Sequence, residues 1–172
     1  MMPRDTKGGV PAAGPGLPPG SRQVPTAAAM HELGVRLAGL LGAGDLIVLS
    51  GTLGAGKTTL AQGIGAGLGV LAGVSSPTFV IARVHRGGRV DLVHVDAYRL
   101  SSVAEVDDLD LDASIEESVT VVEWGSGLVE GLSTDRLEVS IERPDGPDEE
   151  LRVVSVHPVG SRWSGWRPDL LE

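Results

Sequence analysis

The sequence predicts an α/β protein: a mostly parallel sheet flanked by helices, with antiparallel hairpin strands added to it. Three observations carry this. A short apolar run, Leu46 to Ser50, leads into a glycine-rich loop, and the loop leads into a stretch with apolar residues at helical spacing. Two further apolar runs, Leu92 to Val95 and Val119 to Val122, each end on a carboxylate, as buried strands opening onto a site do. Two turn-forming tetrapeptides, Arg86-Gly87-Gly88-Arg89 and Pro144-Asp145-Gly146-Pro147, separate β-prone runs and mark hairpins.

Taken in order, residues 1–25 hold six of the eleven prolines and five glycines without apolar periodicity, and are expected to be a disordered leader. One domain is expected over 26–160. Thr26 is placed to cap a helix whose stripe is Met30, Leu33, Leu37 and Leu40 or Leu41. After the first strand and the loop, Thr59 to Leu68 carries Leu60, Ile64 and Leu68 on one helical face. Gly63, Gly65 and Gly67 in that helix each cost about 1 kcal/mol against alanine, so close packing against the sheet is expected to compensate. Val74 to Thr78 reads as a turn entering a strand, Phe79 to His85, and the hairpin returns as Val90 to Val95, ending at Asp96. Ser101 to Glu117 reads as short acidic helices with Val103, Val106, Leu109 and Ile115 on the buried side. Val119 to Val122 closes on Glu123 and Trp124, and Leu137 to Ile141 pairs with Leu151 to Val156. Residues 161–172 form a tail of unassigned order.

Composition narrows the function classes. The absence of cysteine excludes disulfides and thiolate metal sites. No apolar stretch reaches the ~18 residues of a membrane span, and the leader lacks a signal-peptide core, so a cytoplasmic, membrane-free protein is expected. The leader carries Arg4, Lys7 and Arg22 against Asp5, so the acidic excess behind the net charge of −9 lies wholly in the rest of the chain. Nucleic-acid affinity comes largely from cationic side chains, so any contact with RNA is expected to run through a partner. The chain has no asparagine, which rules out the Asn-Lys-x-Asp guanine reader.

The loop itself, Gly51-Thr52-Leu53-Gly54-Ala55-Gly56-Lys57-Thr58, has the G-x-x-x-x-G-K-[ST] spacing of a Walker A phosphate-binding loop. Its glycines let the backbone amides around Gly54, Ala55 and Gly56 turn inward on phosphate oxygens. Lys57 adds a compact charge, Thr58 offers a hydroxyl to Mg2+, and the helix opening at Thr58 and Thr59 presents its positive end to the anion. The chain has twelve arginines and two lysines, and one of those two stands here. A P-loop NTPase-like protein binding a nucleotide with Mg2+ is therefore expected. Hydrolysis needs a strand-end acid, and both Asp96 and Glu123 qualify; spacing does not rank them, and either can also be a solvent-facing carboxylate. Thr78 can serve as a switch hydroxyl or as part of an ordinary Ser-Pro-Thr turn. His94 shares a strand face with Asp96 and reads as a packed or hydrogen-bonded histidine. Arg99 reads as a surface arginine within reach of a phosphate, Trp124 as pocket wall or core, and Trp163 and Trp166 as anchors of a tail or a partner.

The ordered set Gly51 to Thr59, Ser76-Pro77-Thr78, His94 to Leu100 and Val122-Glu123-Trp124, with Glu32-Leu33-Gly34 in the first helix, resembles the TsaE (YjeE) ATPase family over roughly residues 30 to 156. The resemblance implies a P-loop ATPase of tRNA threonylcarbamoyladenosine synthesis that joins a TsaB–TsaD pair and supports its repeated turnover. It implies Thr58 and Glu123 as magnesium ligands, Lys57 as the phosphate lysine, Asp96 as the acid acting on the attacking water, and Thr78 as the switch residue. The segment near Thr26 resembles the family's adenine-contacting loop, and Thr52 stands where the family usually has aspartate. Two other classes remain in view. A small-molecule or nucleotide kinase would need an arginine-rich lid, which the acidic 101–117 segment does not offer; a nucleotide-gated binding module would need no hydrolysis.

Overall fold

In the computed structural model, which describes residues 17–70, 73–74 and 81–171, the strands join into one sheet. They are β1 (Ser21–Val24), β2 (Leu46–Ser50), β3 (Ala82–His85), β4 (Asp91–Asp96), β5 (Ser118–Glu123), β6 (Arg136–Glu142) and β7 (Arg152–Val159), in the spatial order β1-β7-β6-β2-β5-β4-β3. The four central strands β6, β2, β5 and β4 run parallel, and β3, β7 and β1 join antiparallel. This is the expected α/β fold.

Helix α1 (Ala27–Ala38) begins where Thr26, in extended backbone, accepts the Ala29 amide on its side-chain oxygen at 3.1 Å. Its stripe of Met30, Leu33 and Leu37 is buried, together with Leu60, Ile64 and Leu68 of α2 (Lys57–Leu68), on one face of the sheet. The short helices α3 (Val103–Asp107) and α4 (Asp112–Ile115) cover the other face through Val106 and Ile115. Strand β2 alternates between the two cores: Ile47 and Leu49 face α1 and α2, while Leu46 and Val48 face the opposite layer. All four are at most 2 % exposed, and full burial of such a side chain contributes about 1.5–3 kcal/mol. That is why the strand carrying the loop sits at the centre.

The α2 glycines have a different explanation from the one the sequence suggests. A Cβ on Gly63 would run into the His31 carbonyl, and one on Gly67 would meet the Val35 carbonyl at 2.7 Å, so these two let α2 lie against α1 rather than against the sheet. Gly34 answers from α1, where a Cβ would meet the Gly63 Cα at 2.8 Å. Gly65 faces Val74 and Leu92, the sheet side.

Two boundaries and one burial differ from expectation. Residues 21–24 of the expected leader are the edge strand β1, in register with Arg152 to Ser155, and Val24 is buried; four residues beside several prolines show no periodicity, and the partner strand supplies the order. Residues 161–171 of the tail are ordered as well, with two short 3-10 turns, Ser161–Trp163 and Pro168–Leu171. Arg162 forks onto Asp45 at 3.2 and 3.0 Å and donates to the Leu40 carbonyl at 3.0 Å, while Trp163 packs into the core, so one long-range ion pair does what local pattern could not announce. Val103 is half exposed, because at the first position of a five-residue helix only the later Val106 faces inward. The expected strand residues Phe79 and Val80 lie outside the described residues, as does the Ser76-Pro77-Thr78 motif.

Candidate functional site

Strand β2 ends at Ser50, and the chain turns into the loop through glycines at φ 147° (Gly51), 76° (Gly54) and 111° (Gly56), a backbone that side chains rarely tolerate. Gly51 has no room for a Cβ, which would stand 2.5 Å from the Ile141 carbonyl oxygen. Gly56 caps α2 with no side-chain bond to the first amides, leaving them to an anion. The helix therefore starts at Lys57, two residues ahead of the apolar pattern.

Lys57 is 4 % exposed, and its Nζ donates to the carbonyls of Gly51 at 2.7 Å and Thr52 at 2.9 Å. The same ammonium lies 3.9 Å from the centre of the Trp124 ring. Burial lowers its pKa below the usual lysine value of 10.5, against the opposing pull of Glu123 and Asp96. Trp124 reaches this place by taking φ 61° directly after β5, with Tyr98 packed on it at 5.0 Å.

The two strand-end acids are register neighbours, Asp96 on β4 opposite Glu123 on β5, and the structure separates them. Glu123 is buried and receives the Thr58 hydroxyl, 2.9 Å from Oε1 and 3.1 Å from Oε2. His94, fully buried, donates from Nε2 to the same Oε1 at 2.8 Å. Asp96 makes no such bond to the loop; its Oδ1 accepts the Tyr98 amide at 3.0 Å, and it borders open space. A cavity of about 360 Å³ is bounded by the loop, Thr58, Thr59, Asp96, Arg99 and Glu123, at the carboxyl ends of β2, β4 and β5. A second, of about 160 Å³, lies between Thr26, Met30, Gly56, Thr59 and Arg152. Thr59 borders both, so the two open on either side of one helix start.

The structure thus brings together Gly54, Ala55, Gly56, Lys57, Thr58, Thr59, Asp96 and Glu123, and sets Thr26 alongside with its hydroxyl engaged as the helix cap. Thr78 lies outside the described residues. Arg152 was not anticipated: from the start of β7 it donates to the Ala55 carbonyl at 3.1 Å and approaches that of Gly54 at 3.5 Å, 97 and 98 residues back along the chain. The residues present suit a phosphate ester with a hard cation. A loop held at positive φ through Gly51, Gly54 and Gly56, a lysine and the opening amides of α2 face one cavity, and a hydroxyl paired with a carboxylate offers oxygen ligands only.

A parallel-centred sheet with a Walker A loop between its middle strand and the helix packed on it defines the P-loop class of α/β proteins. Within that class, residues 24–151 match the profile of the family described as "Threonylcarbamoyl adenosine biosynthesis protein TsaE". The chain belongs to the TsaE family. It is 60 % identical over 139 residues to the tRNA threonylcarbamoyladenosine biosynthesis protein TsaE of Streptomyces coelicolor, an alignment covering 78 % of this chain and 94 % of the relative. The protein of that name from Mycobacterium tuberculosis is 46 % identical over 145 residues, 79 % of this chain and 86 % of its own length. The crystal structure of Bacillus subtilis YdiB superposes with a TM-score of 0.70 at 27 % identity, covering 87 % of this chain and 92 % of that one.

Proposed function

We propose that this chain is the ATP-binding and ATP-hydrolysing component of the tRNA threonylcarbamoyladenosine machinery, working in the cytoplasm with a TsaB–TsaD pair whose turnover it supports. The observation that carries the reading is the bond from the Thr58 hydroxyl to Glu123, which joins the phosphate loop to a strand-end carboxylate beside Asp96. Mg2+, when bound with ATP, supplies charge neutralisation for the transferred phosphoryl group. Thr58 and Glu123 would hold it. Lys57 exchanges the Gly51 and Thr52 carbonyls for phosphate oxygens, and the loop amides from Gly54 to Thr59 cradle the phosphate chain. Asp96, facing the cavity with one oxygen on the Tyr98 amide, orients the attacking water and takes up its proton. Thr26 and the second cavity suit the nucleoside, and Thr78 is the switch hydroxyl of this reading.

Intrinsic hydrolysis is expected to be slow. Arg152 beside the loop is committed to backbone carbonyls rather than aimed at a developing charge, and a partner is expected to complete the site. The test is ATP hydrolysis by the chain alone and with the TsaB–TsaD pair, with Lys57→Ala as blank. Stimulation that the variant abolishes is the expected result; no stimulation despite nucleotide binding would overturn the partnership. Asp96→Ala is expected to bind nucleotide and partners yet leave tRNA unmodified, and full modification by that variant would mean a nucleotide-gated module.

A further inference from the structure

A carboxylate that is both buried and required to keep one orientation needs donors around it, and Glu123 has two. The Thr58 hydroxyl is one; the other comes from behind the site, on the neighbouring strand. His94 sits two residues before Asp96 on β4, opposite Val121 of β5, and its side chain is fully buried. Its Nε2 lies 2.8 Å from Glu123 Oε1, while its Nδ1 is buried without a hydrogen-bond partner among the described residues. Those two facts set the tautomer. With the hydrogen on Nε2 the ring donates to the carboxylate and leaves only a bare acceptor at Nδ1; with the hydrogen on Nδ1 it would leave a buried donor unpaired and turn a lone pair on the carboxylate. His85, the other buried histidine nearby, is 6.5 Å away ring to ring, and its Nε2 also lacks a partner, so the Glu123 contact is the polar anchor that His94 has.

We propose that His94 is a positioning residue for the cation site: its Nε2–H pins Oε1 and so fixes the plane in which Glu123 presents its other oxygen. This rests on the reading of Thr58 and Glu123 as the Mg2+ pair. The Thr58 hydroxyl stands within reach of both carboxylate oxygens, 2.9 Å from Oε1 and 3.1 Å from Oε2, so hydroxyl and carboxylate stand together for one ion. Without the imidazole, the carboxylate keeps a single donor, the group that must also serve the cation. Groups that orient metal ligands in this way typically govern metal affinity by 10–100-fold.

The experiment is calorimetry of ADP binding by the full-length chain, in EDTA and across a Mg2+ titration, for wild type, His94→Asn, His94→Leu and His94→Gln. A glutamine amide nitrogen reaches the place of Nε2, an asparagine nitrogen only that of Nδ1, and leucine donates nothing. The expected result is unchanged ADP affinity in EDTA for all four, a Mg2+ half-saturation raised about tenfold or more in the asparagine and leucine variants, and recovery in the glutamine variant. Melting temperatures identify any variant that fails to fold, and the asparagine and glutamine pair carries the comparison if leucine does. Wild-type Mg2+ dependence in His94→Asn would overturn the proposal alone; so would a loss of ADP affinity in EDTA shared by all three variants, which is what a purely packing role predicts. A wild type that binds ADP with no Mg2+ dependence would bring down the reading of the site and this proposal with it.

Discussion

Lys57 carries its charge where burial penalises charge, and the nearby Glu123 and Asp96 offset only part of that. Its pKa is lower in the folded chain than in the unfolded one, so the unfolded chain holds the proton more tightly. The resulting penalty on stability is complete at neutral pH and eases as pH rises through the lowered value toward 10.5. The gap in melting temperature between Lys57→Met and wild type, measured without nucleotide, is therefore expected to move in favour of wild type as pH is raised from neutral to about 10. A gap that moves the other way would contradict the assignment. Arg152 offers a second test. Its guanidinium fixes the outward carbonyl of Ala55, and Arg152→Ala is expected to weaken ADP binding by roughly tenfold, the equivalent of about 1.4 kcal/mol, with the fold intact by circular dichroism. The residues of the loop and both acids were legible from the sequence because motif and strand-end position are local signals. Arg152 was not, since nothing around it marks a contact made across nearly a hundred residues. The pairing of Thr58 with Glu123 rather than Asp96 was implied by the family resemblance and not by spacing, because periodicity does not contain the lateral placement of β5 beside β2.

Among the elements, the α1–α2 contact is the one that a single methyl group would disturb. Gly63 lies against the α1 backbone, so Gly63→Ala is expected to force the helices apart and cost about 1–3 kcal/mol despite the better helix propensity of alanine, measurable by urea denaturation. Because α2 starts at the loop, the same variant should also loosen nucleotide binding. Every strand from β2 to β7 and both long helices were legible in the sequence, since apolar runs, hairpin turns and a 3.6-residue stripe are local signals. Strand β1 was not, because its four residues acquire strand geometry from the β7 edge. Removal of residues 1–24 is consequently expected to lower the melting temperature by exposing that edge, an effect that a dispensable leader would not show.

Across the whole molecule, 23 Asp and Glu outnumber 14 Lys and Arg, and the resulting net charge of −9 opposes approach to a phosphate backbone. The isolated chain is expected to leave tRNA unshifted in native gels at physiological salt, with retention appearing only when the partner proteins are added. The three tryptophans are divided between the ends of the sheet. Trp163 and Trp166 sit edge to face beside Arg162 and Asp45, where β2 begins, whereas Trp124 hydrogen-bonds through its backbone to Leu49, where β2 ends, with the Lys57 ammonium over its ring. A cation against an indole alters its emission, and Lys57 must leave that ring to meet a phosphate. A Trp163→Phe, Trp166→Phe chain would thus carry a single tryptophan, Trp124 beside the loop, and with excitation selective for indole the arrival and departure of nucleotide could be followed optically, without a label, on the timescale of a stopped-flow mixer.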